Sequence, residues 1–256
     1  ISDFDELQDA RTKRLAIGAG DIAPLKWALV IVLGLMSMVS IAFVHRDKIW
    51  AGRTALKIFT VAAAAARHGV SLTVRGGGTG NYGQCVPLEG GVILDVTRLN
   101  RVLEITPGRV ICEAGARIEK VEQAVAESGQ MLAMFPSTKR HATMGGFIAG
   151  GSGGIGSLRH GMLRDDGNVA YARIVTVEPE PQVIELRGHD IQKVQHAYGT
   201  NGIITALDFP LVALTDWRHV IALFDGYDVA LGFAQAAQAR SLDTYLLTAV
   251  ERRIAR

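Results

Sequence analysis

The sequence predicts an α+β fold, and three observations carry that prediction. An alanine-rich helical stretch at 54–67 runs directly into a short apolar strand at 70–74. Between 92 and 211, further short strands are separated by Asn, Pro and Gly breakers. Fifteen of the 29 glycines gather at 76–91 and 145–161 instead of being spread through turns. Glycine concentrated in this way marks places where backbone must approach something closely.

In chain order, residues 1–26 are of mixed charge and read as a solvated helix or arm. Trp27 to Val44 then carries no charge at all, a length at the lower limit for crossing a hydrocarbon core of about 30 Å. A membrane helix is the expectation there, with a buried core helix as the alternative; a cleaved leader is disfavoured because no small-residue site follows. Arg46, Lys48, Arg53 and Lys57 follow the run, whereas Lys26 alone lies close before it, which would place the rest of the chain in the cytoplasm. Without the anchor, the expected location is also cytoplasmic. The opening at Ile1 suits a piece of a longer protein.

Ala62 to Ala66 favours helix, and Gly69 suits its left-handed stop. Strands are expected at 70–74, 92–96, 102–105 and 110–113. A helix over 118–128 places Ile118, Val121, Ala124 and Val125 on one face, so it should lie half-buried on a sheet. A strand at 131–135 precedes Pro136-Ser137-Thr138, and the glycine-rich stretch 143–156 reads as a loop. Strands at 169–177 and 183–186 pair across the stiff turn Glu178-Pro179-Glu180-Pro181. A helix at 190–197 and a strand at 203–211 follow. Beyond Thr215, strands at 219–224 and 244–248 flanking a helix at 229–239 would begin a further domain. The expected organisation is an arm and membrane helix over 1–50, a main domain over 51–215 and the start of another over 216–256.

Several function classes are excluded or weakened. The net charge is +2 with acids and bases interspersed, so no nucleic-acid footprint shows. Two cysteines, Cys85 and Cys112, make no disulfide framework, and seven dispersed histidines offer no metal-ligand spacing. The main signal is Val74-Arg75-Gly76-Gly77-Gly78-Thr79-Gly80-Asn81. A strand entering consecutive glycines lets successive peptide N–H groups converge on an anion such as a phosphate. Gly-Lys-Ser/Thr is missing, and no Gly-x-Gly-x-x-Gly opens a long helix, so both common nucleotide loops are disfavoured. The second stretch, Thr143-Met144-Gly145-Gly146 through Gly150, Ser152 and Gly153, repeats the demand and argues for one large ligand touched twice. Flexible linkers are the alternative, disfavoured because Phe147, Ile148 and Ile155 interleave the glycines.

These residues, taken with Gly91-Val-Ile-Leu-Asp-Val, Phe135-Pro136-Ser137 and Gly199-Thr-Asn-Gly-Ile-Ile-Thr, resemble the PCMH-type FAD-binding domain of the vanillyl-alcohol oxidase and p-cresol methylhydroxylase superfamily. Within it the likeness is to the glycolate and D-lactate dehydrogenase branch, over about residues 54–215. The resemblance implies a two-subdomain FAD-binding fold followed by an incomplete substrate-covering cap. It implies FAD contacts at Arg75, Gly76, Gly77, Gly78, Thr79, Gly80, Asn81, Pro136, Ser137, Thr143, Gly145, Gly146, Gly150, Ser152, Gly153, Gly202, Ile203 and Ile204. The 169–186 hairpin would cross beneath the isoalloxazine. The implied reaction is hydride transfer from a hydroxy acid or similar alcohol to flavin N5, with a second dehydrogenase subunit or other electron acceptor as partner. The alternative is an FAD-holding subunit or inactive fragment of a larger dehydrogenase. Thr79 stands where relatives with histidine-linked flavin carry the histidine, and neither cysteine falls in the second stretch, so noncovalent FAD is expected. No catalytic residue is assigned: His160 is weighed and read as structural, and Lys139 and Arg140 rank below the glycines as phosphate contacts.

Overall fold

The computed structural model describes residues 49–240 and 242–251. Helix α1 (Ile49–Arg67) ends where Gly69 turns left-handed and Val70 N–H donates to Ala65 O at 2.9 Å. It buries Ile58, Ala62 and Ala65. Beneath it lie β1 (Leu72–Arg75) and β2 (Val92–Asp95), parallel and in register from Leu72↔Val92 to Arg75↔Asp95. A parallel pair needs a crossover, which a helix usually supplies. Here the glycine-rich loop 76–91 makes it, leaving the end of β1 open. Ile58, Ala62, Val96, Leu99, Val175 and Ile203 form a small core of their own at this junction.

The larger sheet is antiparallel. It contains β3 (Val102–Thr106), β4 (Arg109–Glu113), β6 (Tyr171–Val175), β7 (Val183–Arg187) and β8 (Ile203–Ala213) in the order β3-β4-β8-β6-β7. The short β5 (Gln130–Leu132) pairs with the far end of β8, Gln130 opposite Ala213. Strand β8 is buried from Ile203 to Phe209 without alternation because elements cover both of its faces. Helix α2 (Ile118–Ala126) lays Ile118, Val121 and Val125 against that core, each such burial stabilising by about 1.5–3 kcal/mol.

The stretch expected to be a loop at 143–156 contains helix α3 (Met144–Gly150). Glycine is a poor helix former, and three of its seven residues are glycine. Tertiary contacts override propensity: Met144, Phe147 and Ile148, at helical spacing, are buried, and the Phe147 ring meets Phe209 of β8 at 6.1 Å. Thr143 caps the helix by accepting from Gly146 N–H at 3.2 Å. Gly151, at φ +60°, closes it. A short helix α4 (Ser157–His160) follows.

Other expectations are corrected. The helix expected at 190–197 is a 3₁₀ segment, Gly188–Lys193, followed by turn residues of which His196 and Tyr198 have left-handed backbone. Residues 219–224 and 244–248 form no strand, because their backbone enters no ladder with a neighbouring strand; α5 (Tyr227–Ala239) stands between them with Ala237 as its buried residue. Residues beyond β8 return to the domain through Tyr245. Its hydroxyl donates to Leu132 O at 2.9 Å and Ala133 O at 3.0 Å, and its ring stacks on Trp217 at 5.0 Å.

The fold class itself needs correction. Among the described residues no helix is long and apolar enough to cross a membrane, and α1 carries Arg53 and Lys57 within its span. The architecture is a mixed α/β domain without the expected membrane helix; residues 27–44, on which that expectation fell, lie outside the described residues.

Candidate functional site

The first glycine loop and α3 face each other across a cleft of about 440 Å³. The loop is held there by backbone. A Cβ at Gly77 would overlap the carbonyl oxygen of His141, and one at Gly76 would overlap Thr143 Oγ1. Gly78 turns with φ +66°, where its missing side chain leaves room for the Arg75 guanidinium. These glycines are therefore required first for loop-to-loop packing. The sequence reading had assigned their closeness to a ligand.

The backbone donors divide between the two sides. In the first turn of α3 every N–H has a protein acceptor: Met144 to Ala116 O at 2.9 Å, Gly145 to Ala114 O at 2.7 Å, Gly146 to Thr143 Oγ1, and Phe147 to Thr143 O at 2.9 Å. In the loop the reverse holds. From Gly76 to Asn81, no backbone N–H donates to any of the described residues. Six consecutive donors without a protein acceptor, on a turn that is half-buried to exposed, have the arrangement that can receive an anion. Helix α3 supplies bare surface instead: Gly150 has nothing within 4 Å of where a Cβ would stand, and Gly146 has only Thr143 Oγ1.

Pro136, Ser137 and Thr138 also line the cleft, as do Tyr198 with Gly199, and Val74, Val96, Ala114 and Ile204 supply apolar lining. Among the described residues, no Lys, Arg, His, Asp or Glu lines the cleft. Charge on a ligand would be met by backbone dipoles and by the hydroxyls and amides of Thr79, Asn81, Ser137 and Ser152. Such a cleft fits a large nucleotide cofactor with a phosphate bridge.

The structure brings most of the predicted contacts together. Gly76 to Asn81, Pro136, Ser137, Thr143, Gly145, Gly146, Gly150, Ser152, Gly153 and Ile204 all line the cleft. Arg75, Gly202 and Ile203 do not. Arg75 curls outside over Gly78, Gly202 packs on Ile174, and Ile203 is fully buried beneath α1. Strand alternation explains the last pair: Ile204 faces the cleft, so Ile203 faces away. No residue of the β6–β7 hairpin lines the cleft, so the expected crossing has no counterpart there.

Sequence reasoning missed Tyr198, Tyr82, Gln84 and Cys85 as lining residues. Their proximity to the glycine motifs was the available signal for all four. Cys112 is fully buried away from the cleft, and burial pushes its thiol up. His160 sits outside the cleft, at the end of α4, with its ring edge-on to Tyr245 at 6.1 Å. Burial, and then the Arg159 charge, hold its pKa below the ordinary 6.5.

The chain matches the FAD binding domain family over residues 50–186, more than half its length, and it belongs to that family. It is 27% identical over 155 residues to an uncharacterized FAD-linked oxidoreductase of Mycobacterium tuberculosis strain H37Rv, covering 60% of this chain and 32% of the relative. It is 27% identical over 194 residues to the glycolate oxidase subunit GlcD of Bacillus subtilis strain 168, covering 72% of this chain and 41% of that protein. The chain thus spans about a third to two-fifths of the length of these curated relatives. Among solved structures, alkyldihydroxyacetonephosphate synthase superposes with a TM-score of 0.59 at 22% identity, covering 70% of this chain and 37% of that one, a likeness of fold.

Proposed function

We propose that this chain is the cofactor-holding part of an FAD-dependent oxidoreductase acting on the alcohol carbon of a hydroxy acid or similar small alcohol. Bound FAD would supply the redox chemistry, taking hydride at its isoalloxazine ring. The observation that carries the reading is the run of unpaired donors from Gly76 to Asn81 above a helix face stripped to glycine. The loop would hold the phosphates; Gly146 and Gly150 would let the ligand lie against α3, and Pro136 and Ser137 would bound it. The named activity of the Bacillus subtilis relative supports a hydroxy-acid substrate.

Titrating the purified chain with FAD tests this. Retained yellow colour and a rise in melting temperature are expected; free FAD at about a hundred times Kd adds about 2.7 kcal/mol of stability. A colourless protein with an unchanged transition would overturn the proposal. We also expect noncovalent attachment: among the described residues no histidine lines the cleft, and Cys85 is its one thiol. Acid precipitation should leave the flavin in the supernatant, and flavin in the pellet that disappears in Cys85→Ser would refute this.

A second reading is supported by the uncharged lining. Oxidising an alcohol requires a proton acceptor and a group to orient the carboxylate, and among the described residues the cleft has no imidazole, amine, guanidinium or carboxylate for either task. In this reading the chain holds FAD while another domain or subunit handles the substrate. Rapid anaerobic bleaching of the bound flavin by glycolate or D-lactate, with this chain alone, would exclude it.

A further inference from the structure

The segment His196-Ala197-Tyr198 follows the 3₁₀ turn and borders the cleft. His196 has φ +54° and Tyr198 has φ +51°, and they are the two non-glycine residues with positive φ among those described. A left-handed backbone is costly for bulky side chains and persists only where the surroundings enforce it. They do so here. His196 N–H donates to Ile148 O at 3.1 Å and Tyr198 N–H to Ala149 O at 3.0 Å, so both strained residues are tied to the last turn of α3. Gly151 is glycine because a Cβ there would overlap the His196 side chain. Gly199, at φ +83°, then packs on Val74 at the end of β1.

The strain places one side chain in the cleft. Tyr198 lines it, and the Tyr198 hydroxyl lies 2.7 Å from His196 Nε2, with the rings edge-to-face at 5.1 Å and 76°. His196 itself is exposed and outside the lining. The phenol is thus the one lining hydroxyl backed by an imidazole. When Nε2 carries a proton it donates to the phenol oxygen, and the phenol's own proton is then free to donate to an acceptor in the cleft. With Nε2 unprotonated, the phenol donates to the imidazole and is lost to the ligand. An oxygen-rich anionic ligand selects the first arrangement.

We propose that Tyr198 is a ligand-contacting residue, donating its phenolic proton to a phosphate oxygen of the cofactor, and that His196 is the positioning residue that fixes the direction of this bond. The proposal rests on the FAD reading above. It adds a phenol backed by an imidazole to a site whose other donors are backbone N–H groups and the hydroxyls and amides of Thr79, Asn81, Ser137 and Ser152.

The test is FAD affinity and apoprotein melting temperature for the full chain and three variants. Tyr198→Phe keeps the ring and removes the hydroxyl. Affinity should fall about tenfold, as for a lost hydrogen bond to a charged acceptor, with the apoprotein transition essentially unmoved. His196→Asn keeps a residue type that tolerates left-handed backbone but is too short to back the phenol; a loss of about threefold is expected. The double variant should bind no more weakly than Tyr198→Phe, because both changes remove one interaction. ADP, which carries the two phosphates without the isoalloxazine, should show the same order of affinities. Unchanged FAD affinity in Tyr198→Phe, or a lowered melting temperature with unchanged affinity, would overturn the inference while leaving the FAD reading intact. Failure of the unmodified chain to bind FAD would overturn both.

Discussion

Glycines that look alike in the sequence have different tasks, and substitution should separate them. Gly77 faces the His141 carbonyl, so a methyl group there must push two backbones apart. Gly77→Ala should destabilise the fold by about 1–3 kcal/mol, the usual range for overpacking, and lose FAD binding as a consequence. Gly150 has open space in the direction of a side chain and lies in a helix. Gly150→Ala should therefore hold or raise apoprotein stability, by about 0.4–1 kcal/mol where helix geometry permits, while weakening FAD binding because the methyl group enters the cleft. Paired calorimetry and flavin titration check both. Equal stability losses in the two variants would show that Gly150 is packed in solution.

At the scale of elements, α3 and α4 hold the second glycine stretch against the sheet, and α4 ends in a titrating group. The folded chain depresses the His160 pKa below 6.5, first by burial and then by the Arg159 charge. The unfolded chain thus binds the proton more tightly. Stability from this group is complete above about pH 6.5 and is lost as pH falls through the folded value. Urea unfolding between pH 7.5 and 5 should show a decline that is shallower in His160→Gln. An identical decline in the variant would assign the effect to other groups.

Across the whole molecule, Tyr245 joins the segment beyond β8 to β5 and to the second glycine stretch. It is 8% exposed, burial raises its pKa above the ordinary phenol range, and Gly156 N–H donates to its carbonyl at 3.1 Å. Tyr245→Phe removes the donor shared by Leu132 O and Ala133 O and should cost about 1–3 kcal/mol. Hydrogen exchange should then accelerate at 154–160 and at 217–226, where Arg159 pairs with Asp243 and stacks over Trp217. Protection unchanged at 154–160 would show that the segment merely rests on the surface.

The sequence by itself determined that helices and strands are mixed in the main domain, the strands around both glycine stretches, and most residues of the cleft, because glycine turns and β-branched runs are local signals set by sterics within a few residues. It also carried the cofactor class, through five motifs in order. The tertiary structure alone decided that 144–150 is helical, since the burial of Met144, Phe147 and Ile148 against β4 and β8 outweighs three glycines. It decided that Ile204 meets the cleft while Ile203 lies under α1, a matter of which face of β8 each packing partner covers. Tyr198 stands beside Gly199 at the head of a glycine motif, but its left-handed backbone had no local signal, because a hydrogen bond to Ala149, almost fifty residues earlier, holds it. The expectation of strands at 219–224 and 244–248 failed for the same physical reason: apolar residues propose a strand, but only a neighbouring edge with free backbone groups can make one.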